Sequence, residues 1–335
     1  MNTNKDLTIE EVFGLAVKNH REGKTDIAQE HYNQVLKIDP NHSQALNNIA
    51  IIFTNLKDYQ KARDCYEKAI EINPNYADAH YNLGNIFQEL GDLQKARDCY
   101  EKAIEINPNY ESAHKNLGIL LKQKRLLSKI EQTKKSEVKT TISYFKKNHK
   151  KLHKSDSRLT SDPFILNRKV EAELISQLYK INTKKLNDVN PNIVPCYGNG
   201  RNSDYSLFEN NFSTIKTVEK DLINIMKEAV KSDIFIQESF FNIFQNGGGI
   251  ISHNHISNFD IVHGLLNKKF SLSYYLDIGD QNCSEPGTLK LQDPDEEILP
   301  TEGMIVIFPA SRKHSATYGG KKDRVMIGIN FYSLI

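Results

Sequence analysis

Two histidines one residue apart, in the stretch G-I-I-S-H-N-H-I-S, are the first residues of this chain that could do chemistry. His253 and His255 follow a glycine run in a region rich in β-branched and aromatic residues. Side chains at i and i+2 of a strand point to one face, so both imidazoles can reach the same interior. His314 comes later, after the apolar run MIVIFPA, and Arg324 follows it. Three imidazoles can bind a transition metal, and a guanidinium can hold a carboxylate.

Short strands are the elements that must position these residues. Beyond Ser232, turn signals such as GGG, EPG and PTEG separate the runs FIQESFFNIF, FSLSYYLDIG, TLKLQD, MIVIFPA and RVMIGINFYSL. Strands joined by tight turns predict an antiparallel sandwich or small barrel. In the last run, Arg324 shares a face with Met326, Gly328 and Asn330, so its guanidinium can enter the cavity of the histidines. Two helical patterns upstream, at 170–180 and 215–231, make this an α+β domain.

The region from Phe235 to Ile335 resembles the double-stranded β-helix (jelly-roll or cupin-like) core of the iron(II)- and 2-oxoglutarate-dependent oxygenases. Members of that superfamily carry an early His-x-Asp/Glu pair, a late histidine and a basic residue further along. The resemblance implies that His253 and His314 bind Fe(II) and that Arg324 binds the far carboxylate of 2-oxoglutarate. It also implies O₂ as a cosubstrate. Tyr275, or its neighbour Tyr274 on the opposite face, would add a hydroxyl to the carboxylate anchor.

This sequence differs from the family pattern at the acidic ligand: His255 stands two residues after His253, where the family has Asp or Glu. In one arrangement His253, His255 and His314 together hold the ion, and we favour it because His255 stands at the ligand position. In a second arrangement Asp260 supplies the carboxylate and one early histidine leaves the set. In a third, the early pair gives one ligand, and water or chloride fills the gap. A further interpretation treats these histidines as ordinary residues without a metal.

The first third of the chain repeats every 34 residues. Residues 43–76 and 77–110 share the block QKARDCYEKAIEINPNY, and 9–42 is a diverged copy that ends in KIDPNH. Small residues recur where two helices must approach, and an aromatic and a proline follow at fixed positions in each copy. This pattern resembles the tetratricopeptide repeat. It predicts an all-α solenoid over 9–124, in which 111–124 is a capping helix.

The repeats also carry candidate contacts to a partner. In tetratricopeptide arrays the first helix of each pair lines the concave face. The resemblance therefore implies that a bound protein or peptide would contact four polar residues of these helices: Asn48, Tyr81, Asn82 and Asn116. The alternative is a solvated polar face.

Lysines dominate the stretch from Lys122 to Asp156, which has no glycine or proline. We predict a basic helical linker over 125–160, followed by the oxygenase-like domain over 161–335. A solvated spacer is favoured over a nucleic-acid contact, because no recognised nucleic-acid motif accompanies the lysines.

Composition is that of a multidomain globular protein. The chain has 335 residues, of which 39% are apolar and 26% charged, and its formal net charge is +2. Such a balance indicates neither a nucleic-acid nor a membrane partner. The first residues, MNTNKDLTIEE, contain no apolar core of a signal peptide, and no apolar run is long enough to span a membrane. Four scattered cysteines without a CxxC predict a reduced, cytoplasmic protein.

These features predict an Fe(II)- and 2-oxoglutarate-dependent dioxygenase, a hydroxylase, whose repeats recruit a protein or peptide. A rival hypothesis, motivated by the missing carboxylate, is a repeat-based adaptor whose β domain is catalytically inactive. A third is a cupin-like isomerase or dioxygenase that needs no 2-oxoglutarate, for which Arg324 would be dispensable.

Overall fold

The structure is a computed structural model that describes residues 7–148, 162–188 and 195–335. The chain divides into two compact units, Met1–Arg125 and Leu126–Ile335. The first unit is helical and the second is rich in strands.

The first unit consists of helix pairs. Its helices are α1 (Ile9–Arg21), α2 (Thr25–Ile38), α3 (Ser43–Asn55), α4 (Tyr59–Ile72), α5 (Ala77–Glu89) and α6 (Leu93–Ile106), followed by the start of α7 (Glu111–Asn148). The first helices of the pairs begin at Ile9, Ser43 and Ala77, so their spacing equals the 34-residue period of the sequence. Each pair buries its apolar stripe against the neighbouring helices, as a stack of short helical units requires.

Small residues allow the two helices of a pair to approach. Ala16 and Ala28 of the first pair are fully buried, as are Ala50 and Ala62 of the second. In the third pair, a Cβ added at Gly84 would lie only 2.6 Å from the ring of Tyr100. In this pair the aromatic of the second helix, Tyr100, therefore packs where the first helix has no side chain.

One continuous helix, α7, covers both the predicted capping helix and most of the predicted linker. Residues 149–161, which hold the rest of that linker, lie outside the described residues. In the part of the chain that the structure describes, no helix combines the length and apolarity needed to cross a membrane.

Two antiparallel sheets form the second unit. In chain order its strands are β1 (Phe164–Asn167), β2 (Lys184–Lys185), β3 (Cys196–Tyr197), β4 (Gly200–Asn202), β5 (Ile234–Phe244), β6 (Gly248–His253), β7 (Lys269–Asp277), β8 (Leu289–Leu291), β9 (Glu296–Ile298), β10 (Met304–Pro309), β11 (His314–Tyr318) and β12 (Arg324–Ser333). The larger sheet has the order β1-β10-β7-β12-β5-β4-β2, and the smaller has the order β3-β6-β11-β8-β9. Its helices are α8 (Ala172–Leu178), α9 (Ser213–Val230) and the one-turn α10 (Asn258–Val262).

Two cores flank the larger sheet. On one face, α8 and α9 pack their apolar side chains against β5, β7, β10 and β12. The other face packs against the smaller sheet, and residues of both sheets form this second core. Alternation along β12 divides its side chains between the two cores: Val325 and Ile327 face the helices, whereas Met326 faces the smaller sheet. The central strands are thus buried on both faces, and the space between the sheets holds the polar residues described next.

Candidate metal centre

Three histidines meet at one end of the space between the sheets. His253 ends β6, His314 begins β11, and these two residues are partners in the antiparallel ladder. Their ring centroids are 4.3 Å apart, and the ring of His255 lies 4.7 Å from His253 and 5.0 Å from His314. One ring nitrogen from each histidine lies within 4.8 Å of the other two. The three predicted ligands therefore form one group.

His255 joins the group for a reason other than the strand alternation that we predicted. β6 ends at His253, and His255 lies in the irregular segment that follows. Its backbone N–H donates to the carbonyl oxygen of Ala310 at 2.9 Å, which holds this segment against the end of β10. The ring is further oriented by Asn330, whose Nδ2 lies 3.3 Å from Nδ1 of His255.

His314 is buried, His253 and His255 are partly buried, and two of the three imidazoles offer a free nitrogen atom. Nδ1 of His253 donates to the carbonyl oxygen of Ile251 at 2.8 Å, so Nε2 is left as the acceptor. Among the described residues, buried Nε2 of His253 and buried Nδ1 of His314 have no hydrogen-bond partner. Buried polar atoms are almost always paired, and a bound ion is one of the partners that can satisfy them. The donor set therefore fits a transition metal.

The protonation state of the histidines also fits metal binding. Burial lowers the pKa of His314 to about 3, and the charge of His253 adds to this effect. Burial likewise lowers the pKa of His255 well below its ordinary value, with further contributions from His314 and His253. At neutral pH these rings are uncharged, which is the form that ligates a metal.

Asp260, the alternative carboxylate ligand, lies outside this group. It belongs to α10 and is fully buried. Its Oδ2 accepts hydrogen bonds from Lys269 Nζ at 2.9 Å and from Ser257 Oγ at 2.7 Å, and its Oδ1 accepts from Tyr332 at 2.6 Å. Both oxygens are thus engaged in a buried network that anchors the segment after His255.

Arg324 lies in a cavity that reaches His314. The residues lining it come from both sheets and from the loop before β8: Phe244, Gly249, Ile250, Ser273, Tyr275, Gly287, Leu289, His314, Ala316, Tyr318, Arg324 and Met326. Arg324 is 2% exposed, and its guanidinium lies over the rings of Tyr275 and Tyr318 at 5.0 and 5.8 Å. A Cβ at Gly287, where φ is +81°, would overlap the guanidinium, so glycine makes room for it there.

The buried guanidinium meets no carboxylate within the described ranges. Its Nη1 donates to the carbonyl oxygen of Pro286 at 3.1 Å, and none of the ion pairs among the described residues involves it. Burial lowers the pKa of Arg324, while the neighbouring Tyr275 and Tyr318 raise it. A buried charge without a counter-ion is costly, and an anionic ligand would offset that cost.

The structure separates the two candidate tyrosines. Tyr275 faces the cavity, and the guanidinium of Arg324 lies over its ring. Tyr274 points to the helical side, where its hydroxyl accepts from Arg168 at 3.0 Å and donates to the carbonyl oxygen of Lys169 at 3.2 Å. Only Tyr275 can therefore touch a molecule held by Arg324.

Sequence reasoning did not single out two polar residues of β5 that face the same space. Glu238 accepts from Asn330 Nδ2 at 3.0 Å, and Asn242 is 1% exposed with its Nδ2 unpartnered among the described residues. The available signal was alternation: Glu238, Phe240 and Asn242 share one face of a strand whose end, Phe244, lies in the core between the sheets.

The polar candidates of the first unit bond to one another across the repeats. Asn82 donates to Asn47 at 3.2 Å, and Asn47 donates to Asn48 at 3.3 Å. One repeat further on, Asn116 donates to the hydroxyl of Tyr81 at 3.3 Å. All four predicted residues are only partly buried, so they form a polar ladder along the first helices of the pairs.

Comparison with known proteins identifies the helical region. The tetratricopeptide repeat family matches residues 41–109. No curated protein matches the sequence.

Solved structures that match include the first tetratricopeptide domain of Spaghetti (RPAP3) bound to an HSP90 peptide. The two sequences are 25% identical, the match covers 33% of this chain and 89% of that chain, and the TM-score is 0.33. A mutant O-GlcNAc transferase of Thermobaculum terrenum shares 28% identity over 37% of this chain and 24% of its own, with a TM-score of 0.34. The first tetratricopeptide domain of human RPAP3 shares 25% identity over 33% and 88% of the two chains, with a TM-score of 0.32.

The family match, the 34-residue period and the helix pairs agree with one another. The prediction of tetratricopeptide repeats is confirmed, and the chain is a tetratricopeptide repeat array followed by a sheet-rich region.

Proposed function

We propose that the sheet-rich unit is an Fe(II)- and 2-oxoglutarate-dependent dioxygenase with a double-stranded β-helix core, and that it acts as a hydroxylase. His253, His255 and His314 would hold the iron, and Arg324 with Tyr275 would hold 2-oxoglutarate. The observation that carries this proposal is the buried guanidinium of Arg324, which has no carboxylate partner among the described residues and shares a cavity with His314.

Bound iron would supply activation of O₂ and a chelation point for the keto acid. The chain's own residues would position the cosubstrate. The guanidinium of Arg324 can take a carboxylate through two parallel hydrogen bonds, and the hydroxyl of Tyr275 can add a third. Apolar walls from Leu289 and Met326 exclude water from the carbon chain between the two ends.

A three-histidine group differs from the usual two histidines and one carboxylate in charge. Because neutral imidazoles do not offset the charge of a divalent ion, the complex would keep its full positive charge. That charge favours a dianionic cosubstrate at the coordination positions that the histidines leave open. The rigid anchoring of Asp260 by Lys269 and Tyr332 supports His255, rather than Asp260, as the third ligand.

The tetratricopeptide repeats would bring a protein or peptide to the enzyme. Their polar ladder, which includes Asn48, Tyr81, Asn82 and Asn116, offers amide and hydroxyl groups that can exchange their mutual hydrogen bonds for contacts with an extended backbone.

The test is a succinate assay on the full chain with Fe(II), 2-oxoglutarate and O₂. We expect succinate from the wild type and none from His314→Ala or Arg324→Met. Iron that binds without any 2-oxoglutarate turnover or binding would favour the inactive adaptor. Activity that survives Arg324→Met would favour a cupin-like enzyme independent of 2-oxoglutarate.

A further inference from the structure

A carboxylate that pairs with no cation of the described residues lies beside the candidate metal centre. Glu238 of β5 is the ladder partner of Asn330 on β12, and its Oε2 accepts from Asn330 Nδ2 at 3.0 Å. The same nitrogen is 3.3 Å from Nδ1 of His255. A single amide group therefore separates the carboxylate from the histidine.

The charge of Glu238 is not neutralised within the described part of the chain. No ion pair there involves it, and the nearby buried cation, Lys269, is committed to Asp260 at 2.9 Å. Glu238 is partly buried, so its carboxylate has lost some hydration but can still be reached. One amide hydrogen bond does not balance a negative charge, and the position therefore favours a cation from outside the chain.

Two aromatic rings adjoin this carboxylate. Phe240 lies two residues along the same face of β5, and its ring meets that of Tyr205 at 5.2 Å and 70°. Gly328 lies opposite Phe240, and a Cβ there would come within 2.4 Å of the ring, so the glycine leaves room for it. The backbone N–H of Ser239, the residue after Glu238, donates to the carbonyl oxygen of Tyr205 at 3.2 Å, which places Tyr205 beside this part of β5.

Both rings are only partly buried. Ring faces attract organic cations, and the attraction adds to that of a carboxylate. Charge, aromatic surface and accessibility thus coincide on the interior face of β5, next to His255.

We propose that Glu238, Tyr205 and Phe240 bind an organic cation with N–H donors, an alkylammonium or guanidinium group, on the molecule that is oxidised. This inference rests on the proposed function, because the bound cation would direct the attached carbon chain towards the three histidines. Lysine and arginine side chains carry such groups, and so do free diamines.

Calorimetric titration of the full chain, metal-free and Zn(II)-loaded, tests the inference. The probes are the N-acetyl methylamides of lysine and arginine, those of norleucine and citrulline as neutral analogues, and putrescine as a free diamine. We expect at least one cation to bind about tenfold more tightly than the neutral analogues, as a charge-assisted hydrogen bond predicts. Selective binding of the amino-acid derivatives indicates a peptide substrate, and selective binding of putrescine indicates a small amine.

Glu238→Gln keeps an acceptor for Asn330 but removes the charge, and we expect it to abolish the preference for cations. Phe240→Leu should weaken cation binding about two- to fivefold. Glu302→Gln, which removes the same charge from an exposed turn, is the matched control and should keep the preference.

Equal binding of cations and neutral analogues, or the same affinity in Glu238→Gln as in Glu302→Gln, would overturn the inference. Metal and 2-oxoglutarate binding, titrated on the same samples, test the proposed function separately. A chain that binds both but shows no preference for cations contradicts the role of Glu238 alone. A chain that binds neither contradicts the oxygenase, while the metal-free titration still reports on Glu238.

Discussion

His253 and His314 are partners across the antiparallel strands β6 and β11, and their ring centroids are 4.3 Å apart. The ladder, rather than proximity in sequence, thus brings an early and a late histidine to one point. His255 reaches the same point because its backbone is held by Ala310. The group is therefore fixed by backbone hydrogen bonds before any ion arrives, and such preorganisation favours tight metal binding.

Replacing any of the three histidines should remove the metal. Loss of an outer hydrogen-bond partner costs about 10–100-fold in metal affinity, and loss of a ligand should cost more. We expect His314→Ala, His255→Ala and His253→Ala to purify without stoichiometric iron, as measured by elemental analysis. His263→Ala is the matched control, because His263 packs on Phe259 and is not part of the group. Full metal content in His255→Ala would show that two histidines suffice.

Acid should destabilise the metal-free protein through these histidines. Burial lowers the pKa of His314 to about 3, whereas an unfolded histidine has a pKa of about 6.5. Between these values the unfolded state binds more protons, so the free energy of unfolding falls as the pH falls below about 6.5. The contribution of His314 is about 1.4 kcal/mol per pH unit in that window.

The pH dependence can be measured by hydrogen exchange of peptides from β6 and β11, corrected for intrinsic rates, in the presence of a chelator. The glutamine of His314→Gln cannot titrate. The free energy of unfolding of this variant should therefore depend less steeply on pH, by about 1.4 kcal/mol per pH unit. Identical slopes for the wild type and His314→Gln would contradict the depressed pKa.

Arg324→Met should separate a ligand-binding arginine from a structural one. Removing one partner of a buried ion pair costs about 3–5 kcal/mol, but in the part of the chain that the structure describes Arg324 has no carboxylate partner that would be left unpaired. We expect the melting temperature without ligand to be unchanged or higher, and the rise caused by 2-oxoglutarate to be lost. The matched pair Tyr275→Phe and Tyr274→Phe should differ, since only Tyr275 faces the cavity. A large loss of stability in ligand-free Arg324→Met would assign the residue a structural role.

Asp260 and Lys269 should behave as one unit. Both are buried, at 0% and 3% exposure, and they are paired at 2.9 Å. Asp260→Asn leaves the cation of Lys269 uncompensated, and we expect a loss of about 3–5 kcal/mol in the free energy of unfolding. Asp260→Asn combined with Lys269→Met should recover much of that loss. Additive losses in a double-mutant cycle would mean that the two charges are not coupled.

The sequence predicts some parts of this protein much better than others. The helix pairs could be predicted directly, because a 34-residue repeat shows where each pair begins and ends. Tyr274 and Tyr275 were left unseparated although alternation along β7 carries the signal: Ser271 and Ser273 share the face of Tyr275, whereas Phe270 and Leu272 share that of Tyr274. The role of Asp260 was inaccessible, because its partners Lys269 and Tyr332 approach through tertiary packing. Glu238 was missed because a single carboxylate on a strand has no spacing partner.

The most direct test of the central claim is the visible spectrum of the full chain with Fe(II), recorded without O₂ during titration with 2-oxoglutarate. Chelation of iron by the keto acid gives a charge-transfer absorption and requires no oxidisable substrate. We predict saturation at one equivalent, loss of the absorption in His314→Ala, and a much weaker affinity in Arg324→Met. An iron-loaded protein that shows no absorption change, or the same change in Arg324→Met as in the wild type, would contradict the account.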